Sequence, residues 1–534
     1  MNKPLLTSLA SLSLLTTAAA AGAQQPNIIL IMCDDMGFSD LGCYGSEINT
    51  PNIDKLAEEG VRFTQFKNTG RSCPSRASLL TGRYQHSVGM GWMTAVNEHR
   101  PGYYGELTDA VPTVAELLKG AGYSTYMSGK WHVTGDEAYP SAQKENFGPN
   151  GSFPTERGFD KYYGALSGGG NYYTPKPLMR DDKLITEYAD DFYYTHEITK
   201  DAVKNIDNHN ADEPLFMYVA HYAPHRPLQA PQERIDAVKE RYAVGYDVLK
   251  AKRFARQQEM GIVPEADEMP LHTAEYKNNE RPSWESLNEQ EREAWIKDIS
   301  TFAAMVEIVD DGIGELVEAT KRKGIYENTI FIFLSDNGAT IEGDRFAQYT
   351  ADLCNTPYRS YKKWCFMGGT SSPLIIHSPK LLGEYNGEVR TTPAHINDLL
   401  PTCIDFAGVD YPKRFNGEKI TPPDGVSIVP VAEGKQIKSR DLFFEHQTSC
   451  AVISDGWKLV RATVNDEWEL FNLSVDPFET NDLSAAEPKR RNQLEAKWTK
   501  WAEENDVFPL ETLLWTPRIK HYKALYKEQQ AQQK

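Results

Sequence analysis

The sequence predicts an α/β fold: a central, mostly parallel sheet flanked by helices, followed by a smaller C-terminal antiparallel sheet with a helix packed on it. Three observations lead there. Short, near-continuous apolar runs (NIILIM, LFMYVA, TIFIFL) alternate with amphipathic stretches, the pattern of strands buried on both faces between crossover helices. After Gly408 the texture changes to short strands separated by turn residues. With 534 residues, 40% of them hydrophobic, the chain is long enough for one large domain and a smaller one.

Residues Met1–Ala23 carry Lys3, an apolar run and Ala21-Gly22-Ala23, which reads as an export signal with a small-residue cleavage site. The competing reading is a membrane anchor, but the run is short and interrupted by Ser and Thr. The mature protein is therefore expected outside the cytoplasm, periplasmic or secreted. Asn27–Met32 is a buried strand, Thr113–Gly120 a helix ended by glycine, and Tyr123–Met127 the strand after it. Glu137–Pro177, rich in Gly, Pro, Asn and Tyr, reads as a long substrate-facing loop. Leu215–Ala220 and Thr329–Leu334 are further buried strands. Between them, Leu228–Lys297 is charged and helical, an insertion at the edge of the core, and Asp298–Arg322 has sustained helical periodicity. Leu374–Ile376 is a short strand. Beyond it, Asp441–Glu445, Cys450–Ile453, Trp457–Val460 and Glu467–Phe471 read as strands, Pro488–Glu504 as an amphipathic helix, and the end as a glutamine-rich tail. The expected division is a signal over 1–23, a catalytic domain over 24–410 with its insertion at 228–297, and a C-terminal α+β subdomain over 411–534.

The balance of 57 Lys+Arg against 75 Asp+Glu gives a net charge of −18. That excludes a strongly basic nucleic-acid platform, and the abundant aromatic and aliphatic residues exclude a disordered chain. Beyond residues 1–23 no stretch approaches the ~18 apolar residues a membrane span needs. Seven cysteines are too few for a disulfide scaffold, and the odd count leaves at least one unpaired or paired between chains. Cys33 reads as a small buried hydrophobe; a Cys354–Cys365 bridge closing a loop stays open.

Polar clusters follow four predicted strands: Asp34-Asp35, Lys130-Trp131-His132, His221 to His225, and Asp336-Asn337. In an open parallel sheet, ligands bind beyond the carboxyl ends of the strands, so segments far apart in sequence would meet at one edge. Asp34, Asp35, Asp336 and Asn337 offer only oxygen, which suits a hard cation such as Ca²⁺ or Mg²⁺ better than zinc. Singly, each residue has a blander reading as a turn carboxylate, a surface lysine or a satisfied loop histidine. The shared position after apolar strands favours a site.

The segment Arg71–Arg83 (RSCPSRASLLTGR) closely resembles the sulfatase signature, in which Cys or Ser, any residue, Pro, a small residue and Arg precede Leu-Thr-Gly-Arg. The resemblance covers nearly the whole chain after residue 23 and implies the alkaline phosphatase superfamily fold. In that family the residue two before the proline is oxidised to formylglycine, whose hydrate is the nucleophile. Here that residue is Ser72, and Cys73 is only its neighbour. The chain thus resembles the serine-type sulfatases, whose partner before export is a radical-SAM maturating enzyme. The same resemblance assigns Asp34, Asp35, Asp336 and Asn337, with Ser72, to the metal. It assigns Arg76, Lys130 and Lys362 to the sulfate, His225 to protonation of the leaving alcohol, and His132 to release of sulfate. One departure stands out: the family's Glu-Gly-Gly reads Met367-Gly368-Gly369, which removes a carboxylate near Lys362.

The implied reaction is hydrolysis of a sulfate monoester, on a sulfated carbohydrate or an aryl sulfate. The Gly168–Tyr173 segment (GGGNYY) favours a sugar, because aromatic rings pack on sugar faces. Two other readings remain: a phosphatase or phosphodiesterase of the same superfamily using unmodified Ser72, and a sulfated-glycan-binding protein that has lost catalysis.

Overall fold

The computed structural model describes residues 25–139, 151–270 and 281–532. The proposed signal at 1–23 lies outside them, as do parts of the predicted loop (140–150) and insertion (271–280).

The strands of the central sheet are β1 (Asn27–Cys33), β2 (Val61–Phe63), β3 (Ser124–Gly129), β4 (Lys161–Ala165), β5 (Leu178–Arg180), β6 (Lys183–Ile185), β7 (Leu215–Ala220), β8 (Thr329–Ser335), β9 (Leu374–His377) and β10 (Glu388–Arg390). Their order is β10-β2-β9-β8-β1-β7-β3-β4-β5-β6. The centre is parallel: β1 pairs β7 and β8 with Ile28 opposite both Phe216 and Ile330, and β3 pairs β7 and β4. Every residue of β1, β7 and β8 is buried, which is why these runs are apolar without alternation.

Successive strand residues face opposite layers. Ile29, Ile31, Met217, Val219, Phe331 and Phe333 join one core, and Ile28, Leu30, Phe216, Tyr218, Ile330 and Ile332 the other. The helices are α1 (Pro51–Glu58), α2 (Ser72–Thr81), α3 (Val114–Gly120), α4 (Tyr194–Asn208), α5 (Gln232–Val238), α6 (Tyr246–Glu259), α7 (Glu289–Lys323), α8 (Arg345–Cys354), α9 (Leu399–Phe406), α10 (Pro488–Glu504) and α11 (Trp515–Gln532). Helices α4 and α7 supply Ile198, Ile206, Val306 and Ile313 to the first layer; α2, α3 and α9 supply Leu80, Leu118 and Leu400 to the second. The C-terminal strands β11 (Leu442–His446), β12 (Ser449–Ser454), β13 (Trp457–Arg461) and β14 (Glu469–Asn472) form an antiparallel sheet in sequence order. Trp498 and Trp501 of α10 pack on it.

Several expectations need correction. β9 runs antiparallel to both β8 and β2, a local exception within the mostly parallel sheet. The stretch read as the loop Glu137–Pro177 contains β4, whose short Lys-Tyr-Tyr-Gly-Ala sequence lacks a long apolar run. Helix α7 begins at Glu289 rather than Asp298, since Asn288 and Glu291 form a capping box there. The glutamine-rich end is helix α11. Cys354 and Cys365 are unbridged. The first sits in the core of the large sheet, whereas the second packs with the C-terminal strands and lies 3.2 Å from the Ser449 carbonyl oxygen. All seven cysteines are free and buried.

Candidate active site

The parallel register of β3, β7, β1 and β8 brings their carboxyl ends to one edge, and each end delivers its polar cluster. From β1 come Asp34 and Asp35. With Asp35 at φ 67° the chain leaves the strand alternation. One oxygen of each aspartate and a ring nitrogen of His225 then lie within 4.8 Å of one another. β3 ends at Gly129 (φ 122°) and leads to Lys130 and to His132 (φ 60°); non-glycine residues in this region are strained and cluster at functional sites. β7 leads to His225, and β8 to Asp336 and Asn337. Helix α2 places Ser72 at its first turn, where backbone N–H groups favour negative charge.

Arg76, one turn on from Ser72 and fully buried, ties these pieces together. Its Nε donates to Ser72 Oγ at 3.0 Å, and its Nη1 to the Lys130 carbonyl oxygen at 2.9 Å. Its Nη2 reaches Asp34 Oδ2 at 3.4 Å and Asp336 Oδ2 at 3.1 Å. Lys130 Nζ pairs with Asp34 and donates to the Gly168 carbonyl oxygen at 2.7 Å. Lys362 Nζ pairs with Asp35 Oδ1 at 2.7 Å. His132 lies between Ser72 Oγ, 3.3 Å from its Nδ1, and the Cys73 thiol, 3.1 Å from its Nε2. The structure thus brings Asp34, Asp35, Ser72, Arg76, Lys130, His132, His225, Asp336, Asn337 and Lys362 to one place.

Three oxygens in this cluster have no hydrogen-bond partner although they are buried: Asp34 Oδ1, Asp35 Oδ2 and Asn337 Oδ1. Other buried polar atoms of the fold also lack partners, but here three oxygens do so together at the carboxyl ends of β1 and β8, where an explanation in common is called for. Asn337 turns its Nδ2 away, donating to Asp35 Oδ1 at 2.7 Å and so leaving its Oδ1 free. Partnerless carboxylate and amide oxygens are the donor set of a hard divalent cation, so these residues fit one.

The sulfatase family model matches residues 26–409. The chain belongs to the sulfatase family. An arylsulfatase of Klebsiella aerogenes is 32% identical over 82% of this chain and 98% of its own length. An N-acetylglucosamine-6-O-sulfatase of Bacteroides thetaiotaomicron is 26% identical over 96% and 93%. Among solved structures, Ps i-CgsB in complex with k-i-k-neocarrahexaose superposes with a TM-score of 0.67, at 26% identity over 92% of this chain and 95% of that one. The protein is an enzyme that hydrolyses sulfate esters.

In this sulfatase the charges are mutually dependent. Burial opposes ionisation of Asp34, but Lys130, His225, Arg76 and Lys362 outweigh it and hold the carboxyl well below its usual range. Asp35 and Asp336 move the other way, raised by burial and, beside it, by the charge of Asp34. Burial also lowers Lys130. It takes His225 down to about 3, with Lys362 adding to the effect. For Lys362, burial is overcome by Asp35 and Glu342, and the ammonium is held above its ordinary value. Asp34 and Lys362 are thus driven toward their charged forms, whereas burial presses Asp35, Asp336, Lys130 and His225 toward neutrality.

Sequence reasoning missed two carboxylates. Glu342, in the loop after β8, pairs with Arg71 Nη1 at 2.7 Å and lies 3.8 Å from Lys362. No pattern marks it except its place seven residues beyond Ser335, the last residue of β8. Glu479 bears on the Met367 departure: its Oε2 accepts the backbone N–H of Met367 at 2.8 Å, while its Oε1 pairs with buried Lys458 at 2.6 Å. A carboxylate therefore reaches position 367 from the C-terminal subdomain. Gly368 and Gly369 keep the turn. A Cβ on Gly369 would overlap the Trp364 carbonyl oxygen, and the Gly338 N–H donates to the Gly369 carbonyl oxygen at 3.0 Å. A cavity of about 760 Å³ opens over Ser72, His132, His225 and Lys362, a size typical of small-ligand sites.

Proposed function

We propose that this sulfatase removes sulfate from a sulfated carbohydrate through a formylglycine made from Ser72, with one divalent cation held by Asp34, Asp35, Ser72, Asp336 and Asn337. Ca²⁺ is the preferred ion and Mg²⁺ the alternative. The observation that carries this reading is the trio of buried, partnerless oxygens beside a serine at a helix N-terminus. When bound, the cation and the geminal diol of formylglycine supply charge neutralisation and a nucleophile whose second hydroxyl can later expel sulfate.

The chain's own residues do the rest. Arg76, with its planar fork, and Lys130 and Lys362, as point charges, hold the sulfate oxygens and oppose charge building up as the S–O bond breaks. His225 donates from Nδ1 to the Arg226 carbonyl oxygen, leaving Nε2 as the position for a transferable proton. An anionic substrate beside it raises its proton affinity, which suits protonation of the departing alcohol. His132, within reach of Ser72 Oγ, is placed to take a proton from the diol as sulfate leaves. The N-terminal segment supports export to the periplasm or medium, after oxidation of Ser72 by a radical-SAM maturating enzyme. The carbohydrate preference draws on the relatives named for sugars and on the Gly168–Tyr173 loop.

Protein co-produced with that enzyme should show a Ser72 peptide lighter by about two hydrogens and should hydrolyse sulfate esters with added Ca²⁺; oxidation of the alcohol to the aldehyde removes those two hydrogens. High activity from protein whose Ser72 is fully unmodified, or preference for phosphate over sulfate esters after conversion, would overturn the reading.

A further inference from the structure

Part of the cavity lining comes from the C-terminal stretch of the chain. Leu513, Leu514 and Trp515, at the start of α11, line it together with Met93. Their exposure is unusual for such side chains: 37%, 72% and 42% respectively. Exposed large apolar groups gathered at one place mark a surface made for a ligand.

That segment is firmly docked. Arg518, 2% exposed, pairs through Nε with Glu98 Oε1 at 2.6 Å and stacks over the Trp92 ring at 4.4 Å. The Trp515 and Trp92 rings lie 5.1 Å apart. Tyr522 donates to Glu511 at 2.9 Å, and Arg100 to the Pro509 carbonyl oxygen at 3.0 Å. The strap is thus clamped to the same 92–103 segment that carries Met93. The same cavity is lined by uncharged hydrogen-bonding groups of the C-terminal sheet, Gln447 and Thr448, on a hairpin turn where both residues have positive φ (49° and 71°). A β-branched residue there is strained, and Glu445 Oε1 holds the turn by accepting the Thr448 N–H at 2.9 Å.

A cavity that offers both this apolar surface and the neutral amide and hydroxyl of Gln447 and Thr448, beside charged groups such as Glu511 and Asp136, suits a hexose ring, which has a C–H face and a rim of hydroxyls. We propose that Leu514 and Trp515 are specificity residues, packing on the ring of the leaving alcohol while the sulfate sits at Ser72. The inference rests on the sulfatase reading above and names the part of the substrate that the strap touches. It places no group on the reacting atoms, so the strap acts on binding of the alcohol and leaves the sulfate subsite alone.

The test uses matured, Ca²⁺-loaded full-length enzyme with 4-nitrophenyl sulfate, galactose 6-sulfate and N-acetylglucosamine 6-sulfate, and inorganic sulfate as inhibitor. Leu514→Ala with Trp515→Ala should raise KM for the ring-bearing esters roughly three- to tenfold, as expected for lost apolar contact in a pocket, with kcat within about twofold. The Ki of inorganic sulfate should stay unchanged. Arg518→Ala, which undocks the strap while Arg100 still pairs with Glu98 at 2.8 Å, should reproduce the KM effect. Should the Trp515 variant not fold, Leu514→Ala alone decides, because that side chain is mostly in solvent. An unmoved KM in a folded variant, or a Ki for sulfate that rises in step with KM, overturns the proposal. If wild type with converted Ser72 turns over none of the three esters, the sugar-sulfatase reading itself fails, and this inference with it.

Discussion

Arg76 concentrates the logic of the site in one side chain, since a guanidinium spans Ser72, Asp34 and Asp336 at once and an ammonium cannot. Arg76→Lys should lower kcat/KM by about 10²–10³, the scale of losing a preorganised donor at a developing charge, and should lower Tm as well. Activity within fivefold of wild type would contradict the role. A second residue-scale prediction concerns His395, buried between Tyr84 and Phe444. Burial takes it down to about 3, with Arg440 adding to the shift. The folded state therefore refuses a proton that the unfolded chain accepts near pH 6.5, so stability is lost as pH falls through that window. His395→Asn keeps an acceptor for the Asn397 N–H and should lose about 2 kcal/mol less stability than wild type between pH 7 and pH 5, read from urea melts. At this scale the ten site residues were legible because each sits in a motif or directly after an apolar strand. Glu342 and Glu479 were not, because their meaning comes from partners across the fold: Lys362 and Arg71 for one, Met367 and Lys458 for the other.

At the scale of elements, buried parallel strands announce themselves, and β1, β7 and β8 read correctly from apolar runs alone. Short strands without an apolar run do not. β2 is Val-Arg-Phe and β4 carries a glycine, so tertiary pairing decides them. The antiparallel direction of β9 was hidden because direction depends on the connection, not on strand composition. Helix α11 was masked by its glutamines, though Trp515, Arg518, Ile519 and Tyr522 fall on one helical face. Two turns meet where β8 gives way to the site. A Cβ on Gly338 would overlap the Gly368 carbonyl oxygen. Gly338→Ala should therefore push apart the segments holding Asn337 and Lys362. The expected result is a fall in kcat/KM of at least about 10², as for misplaced catalytic groups, with a weaker Ca²⁺-dependent rise in Tm. Unaltered cation response would show that the two turns adapt.

For the whole molecule, the net charge of −18 coexists with a pocket where Arg76, Lys130 and Lys362 converge. Close charges set the local potential, while the distant excess is screened within a Debye length of about 8–10 Å at ordinary salt. Long sulfated polymers should accordingly gain in kcat/KM on raising ionic strength from 10 to 150 mM, in approximate terms, whereas monosaccharide sulfates should not. A salt response equal for both would argue against repulsion at long range. Cation removal should also be visible globally: chelation lowers Tm, and Ca²⁺ restores it in a concentration-dependent way, by about 2.7 kcal/mol at a hundredfold excess over Kd. The seven buried thiols carry a further consequence. Burial pushes them upward, Cys73, Cys365 and Cys403 to about 12, so none offers a thiolate to oxidants or to exchange partners. With all seven cysteines free, no disulfide has to form to complete this fold, so dithiothreitol should leave its melting temperature where it was.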